Sequence, residues 1–239
     1  IRLSAGQVAV ALDEFADSLA SLARTSPFYA GIPSIQEAGL QRAQSRLAIF
    51  DGGALVLNQF GAVAAAYPAR PDLVGKDWSQ KGFFRQMVHA PGPTFSDILL
   101  EGPQGAAVVG VAVPITGERG EFMGALVGLF RLGETSVSAF YGSLVRLRVG
   151  EGGHTYLVDG NGVVIYDNDI AHVGQDYSAR PAVVQVLSGR AGAFRSRDPS
   201  GQGEGSEPGG EVLAGYAPVP GTPWGLVTEE SWADLTSAS

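Results

Sequence analysis

Lys81 and Asp97 stand near several aromatic residues, and these residue types together suit a binding site for a small anionic solute. The Lys81 ammonium can meet an anionic group, while Asp97 can accept a hydrogen bond from a hydroxyl or amine, or simply neutralise Lys81. The aromatic residues of this set are Trp78, Phe83, Phe84 and Phe95. Small-ligand pockets are mostly apolar with a few placed polar groups, so the set predicts a pocket. Core positions for Phe83 and Phe84, and an exposed position for Lys81, are the competing interpretation.

The same six-residue pattern, V-G-x-D-aromatic-S, occurs twice in the chain. It begins at Val74 and again at Val173, 99 positions later. The match continues without a gap at further pairs, namely Lys81 with Arg180, Gln86 with Gln185 and Phe95 with Phe194. Self-similarity at about 100 residues indicates tandem domains rather than a solenoid of short repeats.

Residues that recur in both copies are predicted to serve the fold, and residues that differ are predicted to serve function. Asp77 and Asp176 recur, and an Asp before a helix can cap its free N–H groups, so both are predicted helix caps, with Ser79 and Ser178 in the same role. Among the positions that differ, four distinguish the candidate pocket of the first copy: Lys81, Phe83, Phe84 and Asp97 correspond to Arg180, Ala182, Val183 and Ser196. The first copy therefore holds the better-lined site, although Arg180 can still hold a small anion.

A helix is predicted at the start of the chain, where apolar residues recur at spacings of four and three. These residues are Val8, Leu12, Phe15, Leu19 and Leu22. Such a stripe either packs on the core of the same chain or associates with a second copy; two heptads are short for an independent coiled coil, which favours the core. A second helix is predicted over 34–45 and a third over 137–145.

The rest of the chain has the pattern of short strands joined by tight turns. Strands are predicted at 46–50, 54–58, 61–67, 106–115, 122–130, 154–159, 163–167, 212–219 and 224–230. The Asn161-Gly162 pair between two β-rich runs is a strong hairpin signal. The Gly-, Ser- and Pro-rich stretch 195–211 is predicted to be a flexible hairpin loop. The predicted fold class is α+β, a long helix followed by two antiparallel sheets flanked by helices.

Composition excludes several classes of protein. The net charge of −8 and the lack of a basic cluster argue against nucleic-acid binding, and the absence of cysteine excludes disulfides, thiol nucleophiles and cysteine-based zinc sites. His89, His154 and His172 share no close spacing, so each is predicted to be a surface or loop residue and no metal site is expected. No run of about 18 apolar residues occurs, and no signal peptide is visible. No catalytic motif is present, so we expect no enzyme in this part of the chain.

Six longer phrases resemble the double Cache family, the tandem PAS-like sensor domains that lie outside the membrane in bacterial receptors. They are GKDWSQKGFF with the following PTFSD, VAVPI, MGALVGLF, TYLVDGNGVVIYD, VGQDYSARP and AGYAPVPGTPWGLV. The resemblance covers nearly everything from Leu47 to Glu230. It implies an N-terminal helical segment over 1–46, a membrane-distal PAS-like module over 47–136, a connecting helix over 137–150 and a membrane-proximal module over 151–232.

The resemblance also implies that the distal module holds the ligand. Amino-acid-binding members carry R-x-W-Y, then Y-x-D, then an Asp on the last strand. This chain has Lys81-Gly82-Phe83-Phe84 at the first position and Phe95-Ser96-Asp97 at the second, and Arg131 lies where the last Asp is expected. The loss of that Asp puts amino-acid sensing in doubt, while Arg131 becomes a possible second cation.

The sequence therefore predicts an extracytoplasmic small-molecule-sensing domain of a bacterial transmembrane receptor. Its partners would be an organic-acid or amino-acid-like ligand in the first module and, through the N-terminal helix, a second copy. No cofactor and no nucleic acid are expected, and the membrane would be reached only through flanking segments. By the resemblance, the receptor would be a histidine kinase, a chemoreceptor or a cyclase. The alternative is a dimerisation or protein-interaction ectodomain that binds no small ligand.

Overall fold

A computed structural model describes residues 1–133, 138–146, 153–197 and 210–237. The chain divides into two compact units. One unit comprises Ala11–Phe140 and is called the first module below; the other comprises Ile1–Val10 with Tyr141–Ser239 and is called the second module. Two modules of similar size are what the 99-residue repeat predicts.

The first module contains a five-stranded antiparallel sheet in the order β2-β1-β5-β4-β3. Its strands are β1 Gly53–Asn58, β2 Val63–Tyr67, β3 Thr94–Phe95, β4 Val108–Thr116 and β5 Phe122–Arg131. The long β4–β5 hairpin is almost wholly buried along both strands, as expected of apolar runs covered on both faces.

The second module repeats this topology, with strand order β7-β6-β10-β9-β8. Its strands are β6 His154–Val158, β7 Val164–Asp167, β8 Gly192–Arg197, β9 Glu211–Pro218 and β10 Gly225–Ser231. Residues 195–197, predicted to be part of a loop, are the end of β8 and pair with β9. Glu211, at the other end of the predicted loop, is the first residue of β9 and pairs with Arg197, while residues 198–209 lie outside the described residues.

The helices of the described residues flank these sheets. They are α1 Arg2–Ala23, α2 Ser26–Tyr29, α3 Pro33–Arg42, α4 Gln44–Leu47, α5 Gly82–His89, α6 Ala139–Arg146, α7 Pro181–Leu187 and α8 Trp232–Ser237, with single 3₁₀ turns at Pro103–Gly105 and Ile170–His172. The predicted helix over 137–150 is thus observed as α6, with residues 137 and 147–150 outside the described part. None of the described helices combines the length and apolarity needed to cross a membrane.

The strand predicted over 46–50 is wrong. The N–H groups of Arg46 and Leu47 both bond to the carbonyl of Ala43, and the N–H of Phe50 bonds to the carbonyl of Leu47. These are helical and turn hydrogen bonds; Leu47 ends α4, Phe50 closes the turn after it, and both are buried. A short apolar run does not by itself distinguish a strand from a buried helical segment.

The apolar stripe of α1 packs within the chain. Val8, Leu12, Leu19 and Leu22 are all at least 95% buried. Phe15 is half-buried, and in the first module its ring stands edge-on to Phe130, with 4.8 Å between centroids. The interpretation of the stripe as a core-packing face is therefore supported.

The repeated phrase forms the same turn in both modules. The N–H of Trp78 donates to the carbonyl of Gly61, and the N–H of Tyr177 donates to the carbonyl of Gly162. Both glycines have a positive φ, +86° and +83°, and a Cβ on either would lie 2.7 Å from the Cα of the serine that ends the phrase. In each module, therefore, the repeated phrase holds the turn of the first hairpin against the segment that leads into the flanking helix, and this shared role explains why the phrase occurs twice.

Asp77 and Asp176 do not cap helices, contrary to the prediction. Each carboxylate accepts a 2.8 Å hydrogen bond from the backbone N–H two residues later, at Ser79 and Ser178. Helix α5 begins at Gly82, and none of the described side chains caps it. Asp77 pairs in a β-bridge with Ala62 instead, so the aspartate closes the turn that leads toward the helix.

Candidate functional site

Lys81 lies directly before helix α5, and its ammonium is paired. Its Nζ is 2.6 Å from Oε1 of Glu101, and the two side chains are 22% and 29% exposed. The same Nζ lies 4.8 Å from the centroid of the Trp78 ring. The predicted cation is therefore at a half-buried position beside an aromatic face, where an internal carboxylate already neutralises it.

The predicted aromatic residues are buried in the first module. Trp78, Phe83 and Phe84 belong to one core cluster between α5 and the sheet. The rings of Trp78 and Phe83 meet edge-to-face at 6.3 Å, and Phe84 meets Phe122 at 6.0 Å. Phe95 is buried on β3, opposite Val111 of β4. These positions agree with the interpretation of the aromatic residues as core residues. A ligand could contact the four rings only if the side chains that cover them moved aside.

Asp97 and Arg131 lie on other elements of the first module. Asp97 is half-buried and follows β3. Arg131 ends β5, where its backbone N–H donates to the carboxylate of Asp51 at 2.9 Å. The structure thus places Trp78 beside both Lys81 and Phe83, while Asp97 and Arg131 remain predicted members of the site at the ends of two strands.

Arg70 is a residue of this region that the sequence analysis did not single out. Its guanidinium forms a two-pronged bond to Asp72, at 2.9 Å and 2.7 Å, and its Nη2 donates to the backbone carbonyl of Glu101 at 3.0 Å. Its Nη1 is buried and has no hydrogen-bond partner among the described residues. Arg70 and Lys81 therefore converge on Glu101, one on its backbone and one on its side chain. The only feature of the sequence that could have pointed to Arg70 is its place as a cation in the polar turn after β2.

The second module contains a buried polar cluster that the sequence analysis missed. Nε2 of His154 lies 2.7 Å from Oδ2 of Asp167, and Nδ1 of His172 lies 3.3 Å from the same oxygen. His154 and Asp167 are 8% and 0% exposed, so the prediction of a surface or loop position for His154 is wrong. The two residues meet because β6 and β7 form a hairpin, which carries a residue at the start of one strand beside the end of the other.

Two carboxylates act on the ring of His154. Burial disfavours its charged form, but the hydrogen bond to Asp167 and the negative charges of Asp167 and Glu229 outweigh this cost and raise the pKa of His154 to about 9. The contact with Glu229 is from Nδ1 of the ring, at 3.7 Å from Oε2. Each nitrogen of this imidazole therefore faces a carboxylate.

Arg180, the counterpart of Lys81, is also paired. Its Nη1 is 3.3 Å from Oε2 of Glu229, and its guanidinium lies 3.5 Å from the centroid of the Tyr177 ring. Tyr156 donates to Oε1 of the same Glu229 at 3.0 Å, and burial raises the pKa of Tyr156 well above its ordinary value. Both modules thus place a cation on the aromatic residue of the repeated phrase and pair it with a glutamate, but the two glutamates come from different elements.

A small cavity adjoins this pair in the second module. Its volume, counted for the centre of a water-sized sphere, is about 10 Å³, enough for one water molecule. Its lining includes Arg180, Ala182, Phe194, Ser196 and Glu229. Arg180 was also predicted to be able to hold a small anion, and in the structure the carboxylate of Glu229 occupies that role.

Comparisons with known proteins agree with the repeated topology. The chain is similar in structure to the ligand-binding domain of the Pseudomonas fluorescens chemoreceptor CtaA in complex with L-isoleucine, with a TM-score of 0.68 and 15% identity over 100% of this chain and 92% of that one. It is similar to the ligand-binding domain of the Pseudomonas aeruginosa PAO1 amino acid chemoreceptor PctB in complex with L-Gln, with a TM-score of 0.66 and 16% identity over 100% and 90% of the two chains.

A third similar structure belongs to a longer chain. The extracellular ligand binding receptor from Desulfohalobium retbaense matches with a TM-score of 0.63 and 16% identity over 96% of this chain, which spans 39% of the length of that receptor. No curated protein matches the chain in sequence. The family model described as Cache domain, dCache_1, matches residues 4–239. This chain therefore belongs to the double Cache family, the extracellular sensor domains of membrane receptors.

Proposed function

We propose that the first module binds a small solute that bears a carboxylate, and that the chain is the extracytoplasmic sensing part of a bacterial transmembrane receptor. It acts by binding rather than catalysis. The observation that carries the proposal is the convergence of Arg70 and Lys81 on Glu101, with Nη1 of Arg70 buried and without a hydrogen-bond partner among the described residues. A carboxylate is the natural partner of two adjacent cations. The amino-acid complexes of CtaA and PctB, which share this fold, support a carboxylate-bearing ligand.

In this proposal the side chain of Glu101 is an internal competitor of the ligand. Glu101 is 29% exposed in its side chain and belongs to the segment between β3 and β4, so it can move away from Lys81 without disturbing either strand. The ligand carboxylate then takes its place on Lys81 and fills the vacant donor of Arg70. Trp78 and Phe83 form the apolar floor beneath the ammonium of Lys81. Asp97 accepts a hydrogen bond from a hydroxyl or amine of the ligand, and Arg131 is a second cation for its anionic group.

Displacement of Glu101 would give two arrangements of the same loop, one for the empty receptor and one for the occupied receptor. A ligand shifts such an equilibrium only by its differential affinity for the two arrangements. The output partner would be a histidine kinase, a chemoreceptor signalling region or a nucleotide cyclase attached through membrane segments.

The test is a thermal-shift screen of the 239-residue chain followed by calorimetry. The compounds are amino acids, with L-isoleucine and L-glutamine among them, and small organic acids, each beside its amide or alcohol analogue. A ligand at about 100 times its Kd should stabilise the protein by about 2.7 kcal/mol, and only carboxylates should do so.

Substitutions then test whether a compound found in the screen binds at the proposed site. Lys81→Met should abolish binding, whereas Arg85→Met, which removes an exposed cation from the same helix, should leave the affinity unchanged. Glu101→Gln should tighten binding because it weakens the internal competitor. A hit whose affinity is unaffected by Lys81→Met would overturn the proposed site. The absence of any hit among carboxylates would overturn the proposed ligand class and favour the protein-interaction alternative.

A further inference from the structure

We propose that His154, Asp167 and His172 form a binding site for a divalent transition-metal ion of the zinc class in the second module. The inference is independent of the ligand proposed for the first module. The three residues offer two imidazole nitrogens and one carboxylate oxygen, all within 4.8 Å of one another. The cluster lies at the start of β6, the end of β7 and the 3₁₀ turn Ile170–His172.

The spacing of the donor atoms is close to that of a metal site. Zinc bonds of about 2.0–2.1 Å to nitrogen and oxygen place the ligand atoms of a tetrahedral site roughly 3.3 Å apart. The distance from Nδ1 of His172 to Oδ2 of Asp167 is 3.3 Å, and that from Nε2 of His154 to the same oxygen is 2.7 Å. A tetrahedral ion therefore requires Nε2 of His154 and Oδ2 of Asp167 to separate slightly, while all three donor atoms already lie within 4.8 Å of one another.

One donor of the cluster lacks a partner within the described residues. Nδ1 of His172 is buried and makes no hydrogen bond there, although it faces Asp167. A buried polar atom that loses its hydrogen bond costs about 1–3 kcal/mol. A metal ion bound to Nδ1 of His172 would remove that cost. If His172 had only a structural role, the cost would remain.

The outer nitrogen of each histidine faces a second carboxylate. Nδ1 of His154 lies 3.7 Å from Oε2 of Glu229, and Nε2 of His172 lies 3.9 Å from Oδ2 of Asp169. Metal-binding histidines commonly donate their other N–H to a carboxylate, which orients the ring and strengthens the metal bond. The second oxygen of Asp167 is also held, because it accepts the backbone N–H of Asp169 at 2.8 Å.

The ligand set selects the class of ion. Two imidazoles and one carboxylate suit Zn²⁺, Co²⁺, Ni²⁺ or Fe²⁺, whereas Ca²⁺ and Mg²⁺ require mainly oxygen ligands and Cu⁺ prefers sulfur. The chain contains no cysteine and only three histidines, so His89 on α5 is the single histidine outside the cluster. Three protein ligands leave a position for water or another small ligand.

Metal titration of the whole chain tests the site. After chelation and dialysis, calorimetry with Zn²⁺ should give one site per chain, and Co²⁺ should give the visible absorption of a four- or five-coordinate complex. Zn²⁺ should also raise the Tm, and a chelator should reverse the rise, because the ion joins β6, β7 and the turn.

Substitutions inside and outside the cluster distinguish a specific metal site from adventitious metal binding. His172→Ala should weaken Zn²⁺ binding at least about 100-fold, and Asp169→Asn should weaken it about 10-fold with the stoichiometry unchanged. His89→Ala, on the exposed end of α5, should have no effect. Circular dichroism checks the fold, and Asp167→Asn repeats the test if His172→Ala is unfolded. Absence of a Co²⁺ spectrum, or Zn²⁺ binding that survives His172→Ala and Asp167→Asn, would overturn the proposal.

Discussion

Replacing Gly61 or Gly162 with alanine should destabilise the module that contains it. Both residues have φ in the left-handed region, +86° and +83°. A Cβ on Gly61 would lie 2.7 Å from the Cα of Ser79, and a Cβ on Gly162 would lie 2.7 Å from the Cα of Ser178. The opposing atoms belong to the backbone, so no side-chain rotation relieves the contact.

The magnitude follows from three contributions. The left-handed conformation costs an alanine about 1–2 kcal/mol, and overpacking against the serine backbone adds about 1–3 kcal/mol. The lower entropy of the unfolded alanine chain returns about 0.4–1 kcal/mol. We therefore expect a loss of about 1–5 kcal/mol in the free energy of unfolding for each variant, nearly the same in both modules.

The chain offers a matched control in each module. Gly75 and Gly174, inside the two copies of the repeated phrase, also have positive φ, +91° and +88°, but a Cβ on either would meet no atom of the described residues within 4 Å. Gly75→Ala and Gly174→Ala should therefore cost only the conformational strain, about 1 kcal/mol after the entropy gain. The difference between the paired variants isolates the close approach of the two chain segments.

Urea unfolding followed by circular dichroism and tryptophan fluorescence measures these losses. Trp78 and Trp224 are both buried, one in each module, so both transitions contribute to the fluorescence signal. If Gly61→Ala is no more destabilising than Gly75→Ala, the repeated phrase does not lock the hairpin, and its recurrence needs another explanation.

Two further predictions concern an exposed carboxylate and helix α1. The hydrogen bond from the N–H of Ser79 lowers the pKa of Asp77, so this carboxylate adds stability above its unfolded pKa and the contribution disappears as the pH falls through the lower folded pKa. Asp77→Asn should therefore flatten the fall in stability below about pH 4, measured by urea unfolding across that range, and an unaltered profile would contradict this. We also propose that a homodimer through α1 uses Leu3 and Val10, 78% and 62% exposed and seven residues apart. Aspartate at both positions should convert a concentration-dependent dimer into a monomer in sedimentation, whereas Val88→Asp on α5 should not; a dimer that survives the double change would place the interface elsewhere.

The duplicated architecture could be predicted from the sequence because its signals are local. The repeated phrase is six consecutive residues, and the hairpin glycine at 162 sits between two β-rich runs. Both modules indeed have the same strand order. Two wrong predictions also concern short stretches of sequence. Residues 46–50 are too few to show a helical period, so they were assigned to a strand. The sequence around Asp77 and Asp176 does not distinguish an aspartate that closes a turn from one that caps a helix.

The polar clusters could not be predicted because long-range pairing builds them. Arg70 reaches the carbonyl of Glu101, 31 residues away, and His154 reaches Asp167 across a hairpin, 13 residues away. A search for closely spaced histidines misses such a pair, since in a hairpin the spacing depends on strand length and turn length. The register of β6 with β7, once known, places the two residues together.

The shared strand order gives this chain a practical use as a host for engineered binding sites. Because the two modules match without a gap from Val74 to Phe95 and from Val173 to Phe194, each side chain on one helix has a defined counterpart on the other. The side chains of α5 can therefore be transplanted onto α7 at an offset of 99, whereas the glutamate that pairs with each cation, Glu101 or Glu229, comes from a different element and stays in its own module. Such grafts would yield two-input biosensors in which each half reports a different compound.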